Sequence, residues 1–363
     1  MGRMTPTTEL TETTETTETT VPRVGVTPRG PLSEALIAVL GSIPSDVRDV
    51  GSLVDLAGQS VDAISSILRD DDIQLALFVL YSLHYGSLPG ISDRWEWHPV
   101  LIEARAVLER AFEAELRAAV PVPQLPTPTR TSVARALVEL TTADAGPSLS
   151  RYIAKKATVD EAREFLIQRS IYTLREADPH SWAIPRLTGR SKAALVEIQS
   201  DEYGGGRPTR MHSTIFADTM RSMKLETGYA HYLDSVPAIT LASMNTMSLF
   251  GLNRRLRGAI VGHLAAFEMT SSIPNLMYGN GFRRLGYDRG VTAYFDEHVA
   301  ADAVHEQIAA NDLAGALAED EPALMPDILF GASTCLFVDG CAAAHILESW
   351  ESGASSLRST TAA

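Results

Sequence analysis

The stretch Glu297-His298-Val299-Ala300-Ala301-Asp302-Ala303-Val304-His305 sets two imidazoles and a carboxylate at i, i+4 and i+7. On an α-helix that spacing stacks His298, Asp302 and His305 on one face. The residues between them are Val or Ala, so this is not the pattern of an ordinary solvated helix. Buried together, the three polar groups need a metal ion or a complete hydrogen-bond network. Imidazole and carboxylate are also the ligands that first-row transition metals accept. An ordinary reading stands beside this one: Asp296, Glu297, Glu306 and Gln307 would suit a polar stripe on a surface helix.

The same helical period runs outward from this segment, and strand signals are scarce. The pattern predicts helices over about 32–40, 47–69 (broken near Gly58), 72–86, 99–118, 128–144, 159–178, 190–200, 210–222, 236–248, 253–278, 289–309, 311–319 and 326–349. The fold class is therefore all-α. Thr158 or Asp160, with Glu161 in the first turn, marks one helix start. Ser45 or Asp46 would cap another, and Gly251 would end the helix at 236–248. Gly204-Gly205-Gly206 with Pro208 is a firm break. Residues 1–30 hold the Thr/Glu-rich run TETTETTETT, have nothing to bury and are expected to be a disordered tail. Residues 31–125 form an N-terminal helical region, 126–350 the main bundle, and 351–363 a Ser/Gly/Ala/Thr tail expected to fray. Composition leaves open whether 31–125 is a subdomain or more layers of one bundle.

The 363 residues carry 31 Lys and Arg against 45 Asp and Glu, a formal charge of -14. That balance disfavours nucleic-acid and anionic-membrane partners. No apolar segment fit for export opens the chain, and no run reaches the ~18 uninterrupted apolar residues of a membrane span. Cys335 and Cys341 read as buried free thiols, and a cytoplasmic location is expected.

Other acids and histidines stand at helix-compatible places upstream. Glu202 and His212 flank the glycine break, which lets the backbone bend enough to bring both into one site. The break is no phosphate loop, since it lacks the lysine-serine ending and a preceding strand. Asp201 rivals Glu202, and an exposed turn is the ordinary alternative. Glu176 shares a helix face with Leu166, Arg169 and Tyr172 or Thr173, and Tyr172 could orient ligands by hydrogen bonding. Glu268 stands among Leu264, Ala265, Phe267 and Met269, apolar surroundings in which a lone acid needs a reason. For Glu176 and Glu268 the ordinary reading is a surface carboxylate at a helix edge. His84, His180, His231, His263 and His345 read as structural or surface histidines. Trp95-Glu96-Trp97-His98 reads as an aromatic anchor holding a loop to the bundle.

As a set, Glu176, Glu202, His212, Glu268, His298, Asp302 and His305 resemble the metal-site pattern of the haem-oxygenase-like diiron oxidases, the iron-containing redox enzymes. The order and the closing H-x3-D-x2-H carry the resemblance, which covers about residues 150–347. It implies a haem-oxygenase-like helical bundle, here with additional N-terminal helices, that clasps two Fe(II)/Fe(III) ions and no haem. It implies O2 as co-substrate and an external reductant, the electron donor being unknown. In the family pattern Glu176, His212 and His305 hold one iron, His298 and Asp302 hold the second, and Glu268 spans or approaches both. Glu202, ten residues ahead of His212, is similar to the N-oxygenating branch. Members of that branch can carry an iron-binding cupin after the bundle; too few residues follow here, so bundle chemistry alone is expected. The implied reaction oxidises the nitrogen of a small amine-containing metabolite in natural-product biosynthesis. The alternatives are oxidative C–C cleavage or decarboxylation of an amino or fatty acid at the same centre, and a non-enzymatic helical interaction protein. Arg210, Arg221 and Lys224 are the cations nearest in sequence for a substrate carboxylate. A homodimer through the N-terminal helices is a plausible assembly.

Overall fold

The apolar three-and-four periodicity becomes helix throughout the computed structural model, which describes residues 25–42, 51–86, 88–143 and 148–359; the side chains at 302 and 303 lie outside that set. No strand occurs among the described residues. The N-terminal region contributes α1 (Pro31–Leu40), α2 (Gly51–Ala63), α3 (Asp71–Ser82) and α4 (Pro99–Ala119). Then follow α5 (Arg130–Thr142), α6 (Leu149–Lys155), α7 (Val159–Thr173), the single turn α8 (Asp178–Ser181), α9 (Gly189–Glu202), α10 (His212–Ser222) and α11 (Ala238–Leu252). The chain closes with α12 (Arg257–Met269), α13 (Ser272–Arg284), α14 (Arg289–Gln307), α15 (Ala316–Asp320) and α16 (Met325–Glu351).

The core pair is α12 with α16, which run in the same direction, Arg257 beside Glu321 and Gly262 against Ile328, and α11 lies against both. Helix α13 sits between α6 and α14, and α10 packs on α14. Helix α3 lies on α11, with α1 and α4 beyond it. Where α3 meets α11, buried Asn245 donates to the Gln74 carbonyl at 2.9 Å and to its side-chain oxygen at 2.8 Å. One apolar cluster runs from Leu32 to Trp350, so the N-terminal helices add layers to the bundle's own core. The stretch Pro322–Glu351 is long and apolar enough to cross a membrane by composition; here it is the inner helix facing α12.

Several predicted boundaries change, for local reasons. The expected helix at 253–278 divides at Thr270-Ser271, because Pro274 has no amide hydrogen for a helix interior but fits the first turn of α13. The helix expected to reach 178 stops at Thr173; Ala177 is left-handed at φ 74° and Asp178 precedes a proline. Helices expected at 289–309 and 311–319 are one rod, joined through a π-helical stretch at Ile308–Gly315. Gly58 does not break α2, and Gly251 lies inside α11, where a Cβ would meet the Pro179 carbonyl oxygen at 2.5 Å. Helix α6 was not anticipated. The caps proposed at Ser45 and Asp46 lie outside the described residues. Trp95 is fully buried and donates to the Ser42 carbonyl at 3.2 Å, whereas Trp97 is 65% exposed, so half of that aromatic pair anchors the loop.

Both segments expected to be loose are pinned where they are described. Thr27 donates to Asp234 at 2.6 Å, and Arg29 bonds Asp71 and the carbonyls of Leu233 and Val236. At the other end Glu164 accepts from Trp350, Ser355 and Ser356, and Arg358 reaches Asp71. These polar residues have partners on the bundle, which composition does not reveal. Elsewhere the cap reading is met: Thr158 accepts from the Glu161 amide at 3.2 Å, and Glu161 accepts from the Thr158 amide at 2.6 Å. Thr158→Ala should cost about 1 kcal/mol, read as a lower urea midpoint at unchanged slope.

Candidate metal centre

Five segments deliver the site. Glu176 stands just beyond α7, in the turn that Ala177 closes. Glu202 is the last residue of α9 and His212 the first of α10. Between them Gly204 is left-handed at φ 67°, and a Cβ there would lie 2.7 Å from the Met211 nitrogen. Only glycine lets the loop fold back this closely, and the fold-back brings Glu202 and His212 together. Glu268 comes from α12, and His298 with His305 from one face of α14.

All six side chains are buried. Their polar atoms form two groups, Glu176, Glu202, His212 and His298, then Glu202, Glu268 and His305; within each group ligand atoms lie within 4.8 Å of one another. Glu202 belongs to both. Its Oε2 is 2.8 Å from His212 Nδ1, while its Oε1 faces His305 Nδ1 at 3.8 Å. His305 Nδ1 is also 3.3 Å from Glu268 Oε2. Among the described residues His298 stands with Glu176 and His212, and Glu202 belongs to both groups, places that the resemblance gives to His305 and Glu268. Asp302 lies on α14 between them, its side chain outside the described set.

Surrounding groups fix the imidazoles. His298 Nδ1 is 2.8 Å from the Tyr294 carbonyl, which can only accept, so Nδ1 carries hydrogen and Nε2 faces Glu176 Oε1 at 3.6 Å. The Tyr294 hydroxyl donates to Glu176 at 2.6 Å. His305 Nε2 meets Asp201 at 3.2 Å, which turns Nδ1 toward the two glutamates. Asp201, 64% exposed as a side chain, thus orients a ligand from outside and is not part of either group. Burial opposes charge on His305, yet Glu268, Asp201 and Glu202 raise its pKa to about 9. Burial likewise opposes charge on His212, and Glu202 overrides it. Burial would raise Glu176, but His298, His212 and Tyr294 hold it below the usual carboxylate range.

The cluster fits a metal. Glu176 Oε2 is buried without a hydrogen-bond partner, and so is His212 Nδ1, for all its closeness to Glu202. Three carboxylates and three imidazoles converge in a dry interior, a donor set suited to ferrous and ferric iron. Burial of all six also removes the surface reading of the acids and of the helical stripe.

A small cavity of about 10 Å³ touches Glu176, Glu202, Glu268 and His298. A larger one of about 640 Å³ adjoins it, and Tyr172, Phe267 and Ser271 line both. Tyr172 is thus a wall between two spaces, a role its helical face could suggest only in part. The expected cations point elsewhere: Arg210 pairs with Glu297 at 3.8 Å on the surface, Arg221 bonds Asp218, and Lys224 is exposed. His180 and His263, read as structural, are a buried pair 3.2 Å apart, both kept neutral by burial. Cys335 is buried and Cys341 half-buried, and both are free thiols.

The all-helical bundle carries a buried Glu/His cluster that fits a metal site. Residues 163–340, just under half of the chain, match the family of iron-containing redox enzymes. A curated relative, nitrosourea synthase of Streptomyces achromogenes subsp. streptozoticus, is 28% identical over 173 residues. That match covers 47% of this chain and 36% of the relative, so the chain spans only about a third of the protein it matches.

Proposed function

We propose that the protein is a non-haem diiron oxygenase that uses O2 and an external reductant to oxidise the nitrogen of a small amine-containing metabolite. The observation that carries the two-metal reading is Glu202, whose two oxygens face different histidines. Glu176, His212 and His298 would hold one ion and Glu268 with His305 the other, with Glu202 between them and Asp302 a further ligand implied by the family pattern. Bound iron would supply O2 activation. The chain's own contribution is geometric: Tyr294 and Asp201 lock ligand orientation, and Tyr172 and Phe267 keep water from the centre.

Nitrogen oxidation is supported by the name of the distant relative and by the mixed polar lining of the larger cavity, which suits an amine better than a fatty chain. Decarboxylation or C–C cleavage of an amino acid is the competing outcome. The test is anaerobic loading with Fe(II), then O2, a chemical reductant and a panel of amines, with mass spectrometry of the products. Addition of oxygen at nitrogen is expected. Loss of CO2 without it would replace this reading with the competitor, and fewer than two irons bound per chain under excess Fe(II) would overturn the diiron centre.

A further inference from the structure

The larger cavity holds two opposite charges that the metal centre does not use. Arg169, one turn before Thr173 on α7, and Asp339, in the middle of α16, both line it. Each is enclosed by protein yet keeps some accessible surface, because each faces the cavity. Among the described residues Arg169 makes no hydrogen bond or close ion pair, and its guanidinium carbon stands 6.0 Å from the Phe165 ring. Asp339 accepts from the Ser243 hydroxyl at 2.8 Å, which leaves carboxylate lone pairs for a further donor. A guanidinium held inside a bundle without a fixed partner is costly, and the distant carboxylates only soften that cost. A ligand carboxylate placed on the guanidinium, in the two-pronged geometry that arginine favours, would satisfy it. A ligand ammonium would do the same for Asp339.

We propose that this cavity binds its substrate as a zwitterion, an α-amino acid whose carboxylate is taken by Arg169 and whose ammonium is taken by Asp339. The remaining part of the molecule then extends past Tyr172, Phe267 and Ser271 toward the metal centre. The proposal rests on the functional reading above in placing the reacting end there, but the binding itself needs no metal. It also excludes a fatty acid, which would leave Asp339 facing an alkyl chain.

The test uses the full chain stripped of metal by chelation, with titration calorimetry. The probes are the standard L-amino acids, then the decarboxylated amine and the deaminated acid of the tightest binder, and decanoate. At least one amino acid should bind, and each of its truncated forms should bind at least about tenfold more weakly. In Arg169→Met the amino acid and its amine should bind alike, and in Asp339→Asn the amino acid and its deaminated acid should bind alike. This selective loss separates ligand reading from a folding defect, which would weaken every probe. Binding by none of the amino acids, or tighter binding of decanoate or of a simple amine, would overturn the proposal. If an amino acid binds but is not oxidised at nitrogen, the functional reading falls and this inference stands. If nitrogen is oxidised in amines that lack a carboxylate, the inference falls and the function stands.

Discussion

Glu202→Ala should leave the protein nearly free of tightly bound iron, while His305→Ala should lose only one of two ions. Glu202 is the single side chain, among the described residues, that belongs to both ligand groups. Removing it takes an oxygen from the His212 side and one from the His305 side in one step. Among the described residues His305 contributes to one group. Anaerobic Fe(II) titration followed by desalting and metal analysis should then give about two ions for the parent, about one for His305→Ala and close to none for Glu202→Ala. Asp201→Asn, which touches only the outer nitrogen of His305, should weaken one ion by about tenfold without abolishing it. Retention of two tight ions by Glu202→Ala would show that the carboxylate does not bridge. Helical circular dichroism of each variant checks that the bundle has formed, since a buried imidazole also loses its counter-charge.

How much of this was legible beforehand depends on the range of each interaction. The pairing of His298 with His305 on one helix, the Thr158 cap and the glycine break are local, and each lies where the sequence reading places it, although Glu202 proves to end a helix and Glu176 to leave one. The partition of the ligands was not legible. Whether His298 or His305 faces Glu176 depends on the azimuth and height of α14 against the turn after α7, set by contacts far apart in sequence. Tyr294 could have been found, because it stands one turn before His298 and a tyrosine there faces the same side. Asp339 had a signal too, as a lone acid in the apolar run that supplies α16. The pinned ends were out of reach: Thr27, Arg29, Ser356 and Arg358 look like solvated residues until Asp71, Asp234 and Glu164 are brought beside them.

Gly331→Ala should rank with Gly262→Ala as the most destabilising single methyl in the core among the described residues. Helices α12 and α16 touch backbone to backbone at two glycines: a Cβ at Gly331 would run into the carbonyl oxygen of Ala259, and one at Gly262 into that of Ile328. Backbone atoms on neighbouring helices cannot swing aside as a flexible side chain does, so the helices must part. Overpacking of this kind costs about 3 kcal/mol or more, against the roughly 1 kcal/mol that alanine gains over glycine within a helix. For a chain of this length the melting temperature should fall by roughly 3 °C or more. Gly340→Ala is the internal control on the same helix, with no atom within 4 Å of its new methyl, and it should be neutral or stabilising. A separation of α12 from α16 also moves Glu268 against His305, so Gly331→Ala should bind the ion on that side more weakly while the Glu176 side is spared. Calorimetric melting and the same iron titration read the two effects. If Gly331→Ala melted with Gly340→Ala, the close crossing of these two helices, and with it the placement of Glu268, would be wrong.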